Sequence, residues 1–412
     1  MSYTDARCRR YPAPAAVLHC GPEEKRGKGE GLTPLTLLFA LAFLVSVDLR
    51  VLAPVLPSIS GSLGTSAGTV GLAMTTYSFA YGTGQLFYGP LSDRLGRITV
   101  VRAAGLGFSA CTVLAALSGT AWQFIIARLV AGVFAGAVNP LTLVYIGDTV
   151  EYERRQAVLG RFSVVTSAAL AFSASIGGTV AYFISWRLML IGYAILALIP
   201  VGLMWRLGAQ DTKAMTEAPA RAARLMDFLR DRRARLVYLA VALEGFLLWG
   251  GVTYLGSFAT VRHGLDQFSV GLLIALFGVG IMTAGVLMGP ICRWISESAL
   301  AGLGGAAMGA SYLILIPVWP WPAFAVGMLG LGLGFACLHT TLQLRGTEIS
   351  PSARGKAFSL FAFTLFAGIA TGTAVFGPLV DAGRYEVVFA TAGIGLLVIG
   401  LGTALVPRHL AP

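Results

Sequence analysis

The stretch from Tyr88 to Arg97 reads YGPLSDRLGR and places one acid, two arginines and two glycines close together. Long segments without any charged residue lie on both sides of it. A charged side chain at the centre of a bilayer costs roughly 2.5–3.5 kcal/mol, so charges of this density are expected at a membrane surface. The stretch therefore reads as a turn that ends one membrane span and precedes the next.

The composition of the whole chain also indicates a membrane protein. The 412 residues are 56% hydrophobic and only 12% charged, with a mean hydropathy of +0.77. A soluble domain has about 25% charged residues, and a soluble core of this chain length cannot bury so much apolar surface. Lipid is therefore the expected solvent for most of the chain.

Twelve apolar segments approach the roughly 20 residues that a helix needs to cross the hydrocarbon. Continuous apolar runs favour helices over the alternating strands of a barrel. We therefore predict an all-α polytopic membrane protein with twelve transmembrane helices in two six-helix halves. The predicted spans are 35–56, 70–91, 100–117, 121–146, 162–184, 188–207, 236–258, 270–291, 300–318, 323–344, 357–380 and 387–405.

The segments between and around the spans define the domain organisation. Residues 1–33 are polar and basic and are predicted to be a mobile cytoplasmic tail. Residues 34–207 form the N-terminal bundle, 208–235 a basic cytoplasmic linker, and 236–406 the C-terminal bundle. Residues 407–412 form a second cytoplasmic tail.

The two predicted bundles are similar to each other at a constant shift of 200 residues. Gly64 matches Gly264, Thr83 matches Thr283, and further pairs match at Val70-Gly71-Leu72 and Gly89-Pro90. Several matches at one offset indicate duplication. Repeats related by an axis normal to the membrane are a known transporter architecture, with the binding site at their interface.

The basic residues predict the orientation of the chain. All but five of the 30 Lys and Arg fall in the tails and in the loops that share their side of the membrane. Cytoplasmic loops carry such an excess, so both termini are expected in the cytoplasm, in a bacterial inner membrane. The net charge of +11 is then a topology signal and requires no nucleic-acid partner.

The opening stretch resembles a known family signature. Residues Gly89 to Arg97 are similar to the loop G-x-L-x-D-R-x-G-R-[RK] of the major facilitator superfamily, except that Ile98 stands at the last basic position. Asp48-Leu49-Arg50 and Arg128 to Gly132 are similar to the first and fourth helices of its drug:proton antiporter branch. The helix-five motif of that branch appears at 169–178 without its proline.

The resemblance implies a role for the signature loop as a conformational latch, a set of contacts formed in only one arrangement of the two halves. In the family that arrangement is outward-open. Asp93 can accept hydrogen bonds from Arg97 or from arginines of the next cytoplasmic loop, and Gly89 is expected to allow a close helix approach. The alternative is a charged turn that only fixes topology. The predicted latch residues are Gly89, Asp93, Arg94, Gly96, Arg97, Asp148 and Arg155.

Ionisable residues inside the predicted spans are candidates for proton coupling, and we select Asp48, Arg128 and Glu244. At 1.5 Å per residue, Asp48 and Arg128 lie at similar depths, about 13 and 10 Å from the outer ends of their helices. An ion pair is thus possible, and a change in its environment would bind or release a proton. A permanent structural bridge is the alternative. Glu244 is a second proton carrier, a recognition group for a cation, or a residue whose carboxylate reaches the inner surface.

Other polar and aromatic residues in the spans are predicted to line a substrate cavity. None of the deep polar residues falls on helices three, six, nine or twelve, which are peripheral in the major facilitator arrangement. His339 also has a purely structural alternative. The predicted cavity residues are Arg50, Tyr77, Tyr81, Gln85, Asn139, Trp249, Tyr254, His339 and Gln343.

The function predicted from the sequence is secondary active transport rather than catalysis. The chain has no phosphate-binding loop and no nucleophile–base or metal-ligand pattern, so neither a cofactor nor a metal is expected. We predict a monomer that exports a small amphipathic compound in exchange for protons, with the lipid bilayer as its environment. The alternatives are uptake of a sugar or organic anion bound by Arg128, and a membrane sensor or intramembrane enzyme.

Overall fold

The computed structural model describes residues 33–208, 231–317, 321–349 and 354–405. The predicted tails and most of the predicted linker lie outside the described residues. Helices account for nearly all of the described chain. Their bounds, in chain order, are α1 Pro34–Ser62, α2 Ala67–Leu95, α3 Arg97–Ala116, α4 Ala121–Thr149, α5 Tyr152–Phe183, α6 Trp186–Arg206, α7 Arg232–His263, α8 Gln267–Trp294, α9 Glu297–Leu315, α10 Trp321–Glu348, α11 Arg354–Asp381 and α12 Tyr385–Leu405.

These helices confirm the predicted fold class. Within the described chain, eleven of them are long and apolar enough to cross a membrane. The exception is α2, which has 29 residues but contains many hydroxyl and glycine residues. Several of its polar side chains, including Tyr77, Ser78 and Tyr81, are buried inside the protein. Its low hydropathy therefore reflects contacts with other helices rather than a position outside the membrane.

The duplication is visible in equivalent local structures. Gly64 and Gly264 have φ angles of 62° and 64°, in the left-handed region that favours glycine, and each ends the turn before a new helix. Ser66 and Asp266 then cap α2 and α8 with their side chains. Two turns of the same conformation at the predicted spacing confirm that the halves are pseudo-repeats.

Helix α1 is broken in its middle. Its first part ends at Asp48, and after a short turn it continues as a 3₁₀ turn at Ala53–Val55 and a helix at Leu56–Ser62. Pro54 lies just after the break, and a proline ring clashes with the carbonyl group four residues earlier in a regular helix. The break places Asp48 at a helix end inside the protein.

The two halves meet mainly through α2 against α11 and α5 against α8. We call the end of the bundle that carries the α2–α3 turn at Gly96 the basic end, and the end that carries the turns at Gly64 and Gly264 the opposite end. At the opposite end the halves are in backbone contact: a Cβ atom on Gly178 of α5 would lie 2.9 Å from the Cα atom of Gly271 on α8. Small residues therefore seal this end.

Candidate functional site

A cavity of about 490 Å³ lies between the two halves. Its lining residues come from α1, α2, α4 and α5 in one half and from α10 and α11 in the other. Most of these residues lie in the parts of their helices nearer the basic end, whereas the opposite end is sealed. The cavity is thus displaced toward the basic end.

The cavity wall combines aromatic rings with uncharged polar groups. No Asp, Glu, Lys or Arg lines it among the residues that the structure describes. Asn139 donates through Nδ2 to Ser46 Oγ at 3.2 Å and to Tyr81 Oη at 3.1 Å, which fixes three polar side chains from three helices. The lining residues are Ser46, Leu49, Tyr81, Gln85, Asn139, Pro140, Leu143, Val144, Phe162, Thr166, Leu170, His339, Gln343, Phe358, Ser359, Phe361, Ala362, Leu365 and Phe366.

Five of the nine predicted cavity residues lie in this wall: Tyr81, Gln85, Asn139, His339 and Gln343. They come from α2, α4 and α10. Tyr81 also packs on Phe366 of the other half, with ring centroids 4.6 Å apart. Both halves therefore contribute side chains that a bound molecule would contact.

The structure places the other four predicted cavity residues elsewhere. The Arg50 guanidinium lies 3.5 Å from the ring centroid of Trp249, and both border a separate space of about 20 Å³. Tyr77 lies beneath the Arg128 guanidinium, and the Tyr254 hydroxyl donates to the Thr373 carbonyl at 2.8 Å. These four side chains lie on faces of their helices that do not border the cavity. The depth of a residue in its span does not show which face of the helix the residue occupies.

Asp48 and Arg128 form a bidentate ion pair between α1 and α4. Arg128 Nη1 donates to Asp48 Oδ1 at 3.0 Å and Nη2 donates to Oδ2 at 2.9 Å. The Asp48 side chain is fully buried and 2% of the Arg128 side chain is exposed. A buried charge is costly unless a partner of opposite charge is hydrogen-bonded to it. Here both carboxylate oxygens of Asp48 accept a hydrogen bond from Arg128.

Two further helices support Asp48 at the break in α1. The Tyr193 hydroxyl of α6 accepts a hydrogen bond from the Asp48 backbone N–H at 3.2 Å. Ser173 of α5 donates to the Val47 carbonyl at 2.7 Å, so a carbonyl at the helix end has a partner. The contact from α6 was not anticipated from the sequence, because a tyrosine in an apolar run gives no polar signal.

Glu244 of α7 and His339 of α10 form a second buried pair. His339 Nδ1 lies 2.9 Å from Glu244 Oε2. The Glu244 side chain is fully buried, whereas 17% of the His339 side chain is exposed and lines the cavity. Glu244 Oε1 has no hydrogen-bond partner among the described residues. The sequence indicated each residue but not their pairing across 95 positions.

The backbone changes its winding directly after Glu244. Residues Gly245–Trp249 form a π-helical turn within α7. The Tyr312 hydroxyl of α9 donates to the Leu248 carbonyl in that turn at 2.5 Å. Turns of this kind occur frequently at functional sites, because they change the direction of neighbouring side chains.

The predicted latch residues form a network inside the N-terminal half. Arg97 Nη1 contacts Asp93 Oδ1 at 2.5 Å, and Arg97 Nε donates to Asp148 Oδ2 at 3.1 Å. Arg155 Nη2 donates to the carbonyls of Gly147 and Val150. The family resemblance implies that these contacts form in the outward-open arrangement, whereas here they are present with the cavity toward the basic end. The role of the network as a latch stays a prediction.

Two glycines of the signature loop differ in what they contribute. Gly96 has a φ of 93° and links α2 to α3, a conformation that strains any residue with a Cβ atom. A Cβ atom on Gly89 would contact nothing within 4 Å, so the expectation of a close helix approach there is wrong. The turn predicted for this stretch is shorter than the stretch itself, since α2 continues past Pro90 to Leu95.

At the opposite end, a carboxylate joins the two halves. Asp381 at the end of α11 accepts a hydrogen bond from the Ser66 hydroxyl at 2.7 Å and one from the Gly68 backbone N–H at 2.8 Å. Both donors lie in the first turn of α2 or directly before it. The carboxylate therefore also lies at the positive end of the α2 dipole.

Two pseudo-repeated six-helix halves with a cavity between them define a polytopic membrane transporter. The chain belongs to the Major Facilitator Superfamily, whose sequence model matches residues 38–352. It is 26% identical over 314 residues to the "Chloramphenicol resistance protein" of Pseudomonas aeruginosa, and the aligned region covers 73% of each chain. It is also 26% identical over 381 residues to the "Probable L-galactonate transporter" of Escherichia coli, which covers 82% of each.

A solved structure shows the same fold. The crystal structure of the nucleoside transporter NupG matches with a TM-score of 0.75 at 12% sequence identity, over 90% of this chain and 99% of that one. Identity at this level supports the arrangement of the helices and nothing about the substrate.

Proposed function

We propose that the protein exports a small, amphipathic, uncharged compound in exchange for protons, by alternating access of its two halves. The fold supports transport, and a relative named as a chloramphenicol resistance protein supports export. The observation that carries the proton coupling is the buried Asp48–Arg128 pair behind the cavity wall.

The pair lies next to the cavity along the chain. Ser46 and Leu49, on either side of Asp48 in α1, both line the cavity. Protonation of Asp48 would remove the charge that holds Arg128 and would weaken the connection between α1 and α4 at a helix break. Protonation and helix position are then linked, as proton coupling requires.

The composition of the cavity wall supports an uncharged substrate. Amide and hydroxyl groups from Tyr81, Gln85 and Asn139 can orient polar groups, and the phenylalanines offer aromatic surface. The organic-anion alternative required Arg128 as the binding group. Arg128 is buried and both of its Nη atoms are bound to Asp48, so the wall supports that alternative less well.

The orientation of the chain completes the proposal. The excess of Lys and Arg supports a cytoplasmic position for the basic end. The cavity then faces the cytoplasm while the opposite end is sealed, which is the arrangement in which an exporter loads its substrate. Opening of the opposite end would release the substrate outside.

The test uses purified protein in proteoliposomes with chloramphenicol as an uncharged aromatic probe and an imposed pH gradient. The wild type is expected to accumulate the probe against its concentration gradient. Asp48→Asn is expected to retain exchange of labelled for unlabelled probe without accumulation. Asp231→Asn, which removes an exposed carboxylate at the start of α7, serves as the control and should behave as the wild type.

Full gradient-driven accumulation by the Asp48→Asn variant would remove this carboxylate from the coupling mechanism. Exchange that ignores the gradient in the wild type would indicate a facilitator. Binding of the probe without any flux would indicate a sensor.

A further inference from the structure

The Glu244–His339 pair connects a fully buried carboxylate to the cavity. His339 places Nδ1 against Glu244 Oε2 at 2.9 Å, and its ring borders the cavity. Phe335 stacks on the imidazole with centroids 4.7 Å apart, and Phe361 packs at 5.7 Å. The imidazole is thus held between aromatic rings, with one nitrogen directed to the carboxylate and the other on the far edge of the ring.

The Glu244–His339 pair carries a net negative charge when neither the imidazole nor the carboxylate holds an additional proton. With a neutral imidazole, Glu244 would be an uncompensated buried anion, and its Oε1 has no donor among the described residues. One added proton makes the pair neutral, whether it resides on the imidazole or on the carboxylate.

The charged and titratable groups around α7 have contacts other than Glu244. The Arg50 guanidinium of α1 lies over the Trp249 ring of α7 at 3.5 Å. Arg345 of α10 is bound to Glu297 of α9 at 2.7 Å, six residues from His339 and nearer the basic end. The Tyr238 hydroxyl of α7 is directed to the Ala357 carbonyl. In mid-span, Asp48 of α1 is bound to Arg128, and the Tyr312 hydroxyl of α9 donates to the Leu248 carbonyl of α7. Further described ionisable groups of α10, α11 and α12 lie near the helix ends: Glu348, Lys356, Asp381, Tyr385 and Glu386.

We propose that Glu244 and His339 form a second proton-binding site, which exchanges its proton with the cavity through the imidazole. In the loading step an N–H bond forms at Nε2 with a proton from cavity water. The N–H bond at Nδ1 then breaks as an O–H bond forms at Glu244 Oε2. The release step reverses this order, and no electrons are transferred. The inference rests on the proposed function, because it assigns an additional coupled proton to the same transport cycle.

The first test needs no substrate. Infrared difference spectra of the protein in lipid, recorded between acidic and alkaline buffer, are expected to contain a carboxylic-acid C=O band that disappears in Glu244→Gln. The band should be retained in Asp48→Asn and in His263→Asn, since His263 packs on Phe258 and Phe324, away from Glu244. A spectrum that Glu244→Gln leaves unchanged would overturn the proposal.

The second test measures the number of protons moved per molecule of chloramphenicol. A known concentration gradient of the probe is imposed, and the ratio is calculated from the pH gradient at which net flux of the probe stops. The wild type is expected to move two protons, and both Glu244→Gln and His339→Asn are expected to move one. A structural role would change the rate or the melting temperature but not this ratio, so an unchanged ratio would overturn the proposal. If the wild type shows no gradient-driven transport but retains the infrared band, the proposed function fails and the proton site stands.

Discussion

Removal of the Asp381 carboxylate should open the opposite end of the transporter. Asp381 is the acceptor for the Ser66 hydroxyl and for the Gly68 backbone N–H, and both donors belong to the other half. These two hydrogen bonds are made across the halves and are lost when α2 and α11 separate at this end. The substitution Asp381→Ala therefore raises the free energy of the sealed arrangement without affecting the open one.

The size of the effect follows from the geometry. A hydrogen bond to a charged group contributes about 1.5–3 kcal/mol in a protected site. Asp381 is exposed, so water competes for the carboxylate and about 1 kcal/mol for each bond is appropriate. The loss of both bonds then amounts to about 2 kcal/mol, roughly a 30-fold increase in the ratio of open to sealed molecules.

The assay is the rate at which a thiol reagent labels a cysteine at position 174, in a variant whose five native cysteines are replaced. Ala174 is 2% exposed and borders the small space beside Arg50, so a cysteine fits there and is protected in the sealed arrangement. Labelling should accelerate roughly 30-fold in Asp381→Ala. Asp381→Asn, which keeps one acceptor oxygen, should give an intermediate rate.

Asp266 provides the matched control. Its carboxylate caps α8 at the same end, but it accepts from Ser269 N at 2.8 Å and from Ser269 Oγ at 3.1 Å, within its own helix. Asp266→Asn should leave the labelling rate unchanged. Equal rates in Asp381→Ala and the parent protein would refute the assignment of a cross-half contact to Asp381.

Three substitutions test other contacts, the first two through thermal unfolding of the purified protein and the third through the labelling assay. Arg128→Gln leaves the buried Asp48 carboxylate without its partner and should lower the free energy of unfolding by about 3–5 kcal/mol. The double variant with Asp48→Asn should recover part of this loss, and no recovery would contradict a direct pair. Gly96→Ala places a Cβ atom at a φ of 93° and should cost about 1–3 kcal/mol, whereas Gly89→Ala should be nearly neutral; equal effects would contradict this difference. Gly178→Ala should disturb the α5–α8 contact and accelerate labelling at position 174, and an unchanged rate would show that this contact does not seal the opposite end.

The sequence predicted the fold because the signals for a membrane bundle are local. Long apolar runs and the charged turn at Gly96 depend on neighbouring positions only, and the repeat at 200 residues is visible by comparing one half of the sequence with the other. The helices extend a few residues beyond the predicted spans, as α2 does when it continues past Pro90 until Gly96 ends it. By length and composition α2 does not count among the apolar spans, because it contains many hydroxyl and glycine residues.

The candidate site was predictable only as a set of residues. Asp48, Arg128 and Glu244 were identifiable because an ionisable group in an apolar run is costly and rarely present without a reason. Which groups pair depends on the rotation of each helix about its axis. That rotation is set by packing between segments far apart in the chain, as in the 95 positions that separate Glu244 from His339.

The sequence by itself determined that this chain crosses a membrane as two repeated halves, because burial of apolar surface in lipid depends on composition and run length. Only the tertiary structure decided that the cavity lies toward the basic end, that Arg50 and Trp249 lie outside it, and that Asp381 joins the halves at the opposite end. The two arrangements of a transporter share one sequence and one set of helices. The free-energy difference between them lies in contacts across the halves, which no local pattern of residues records.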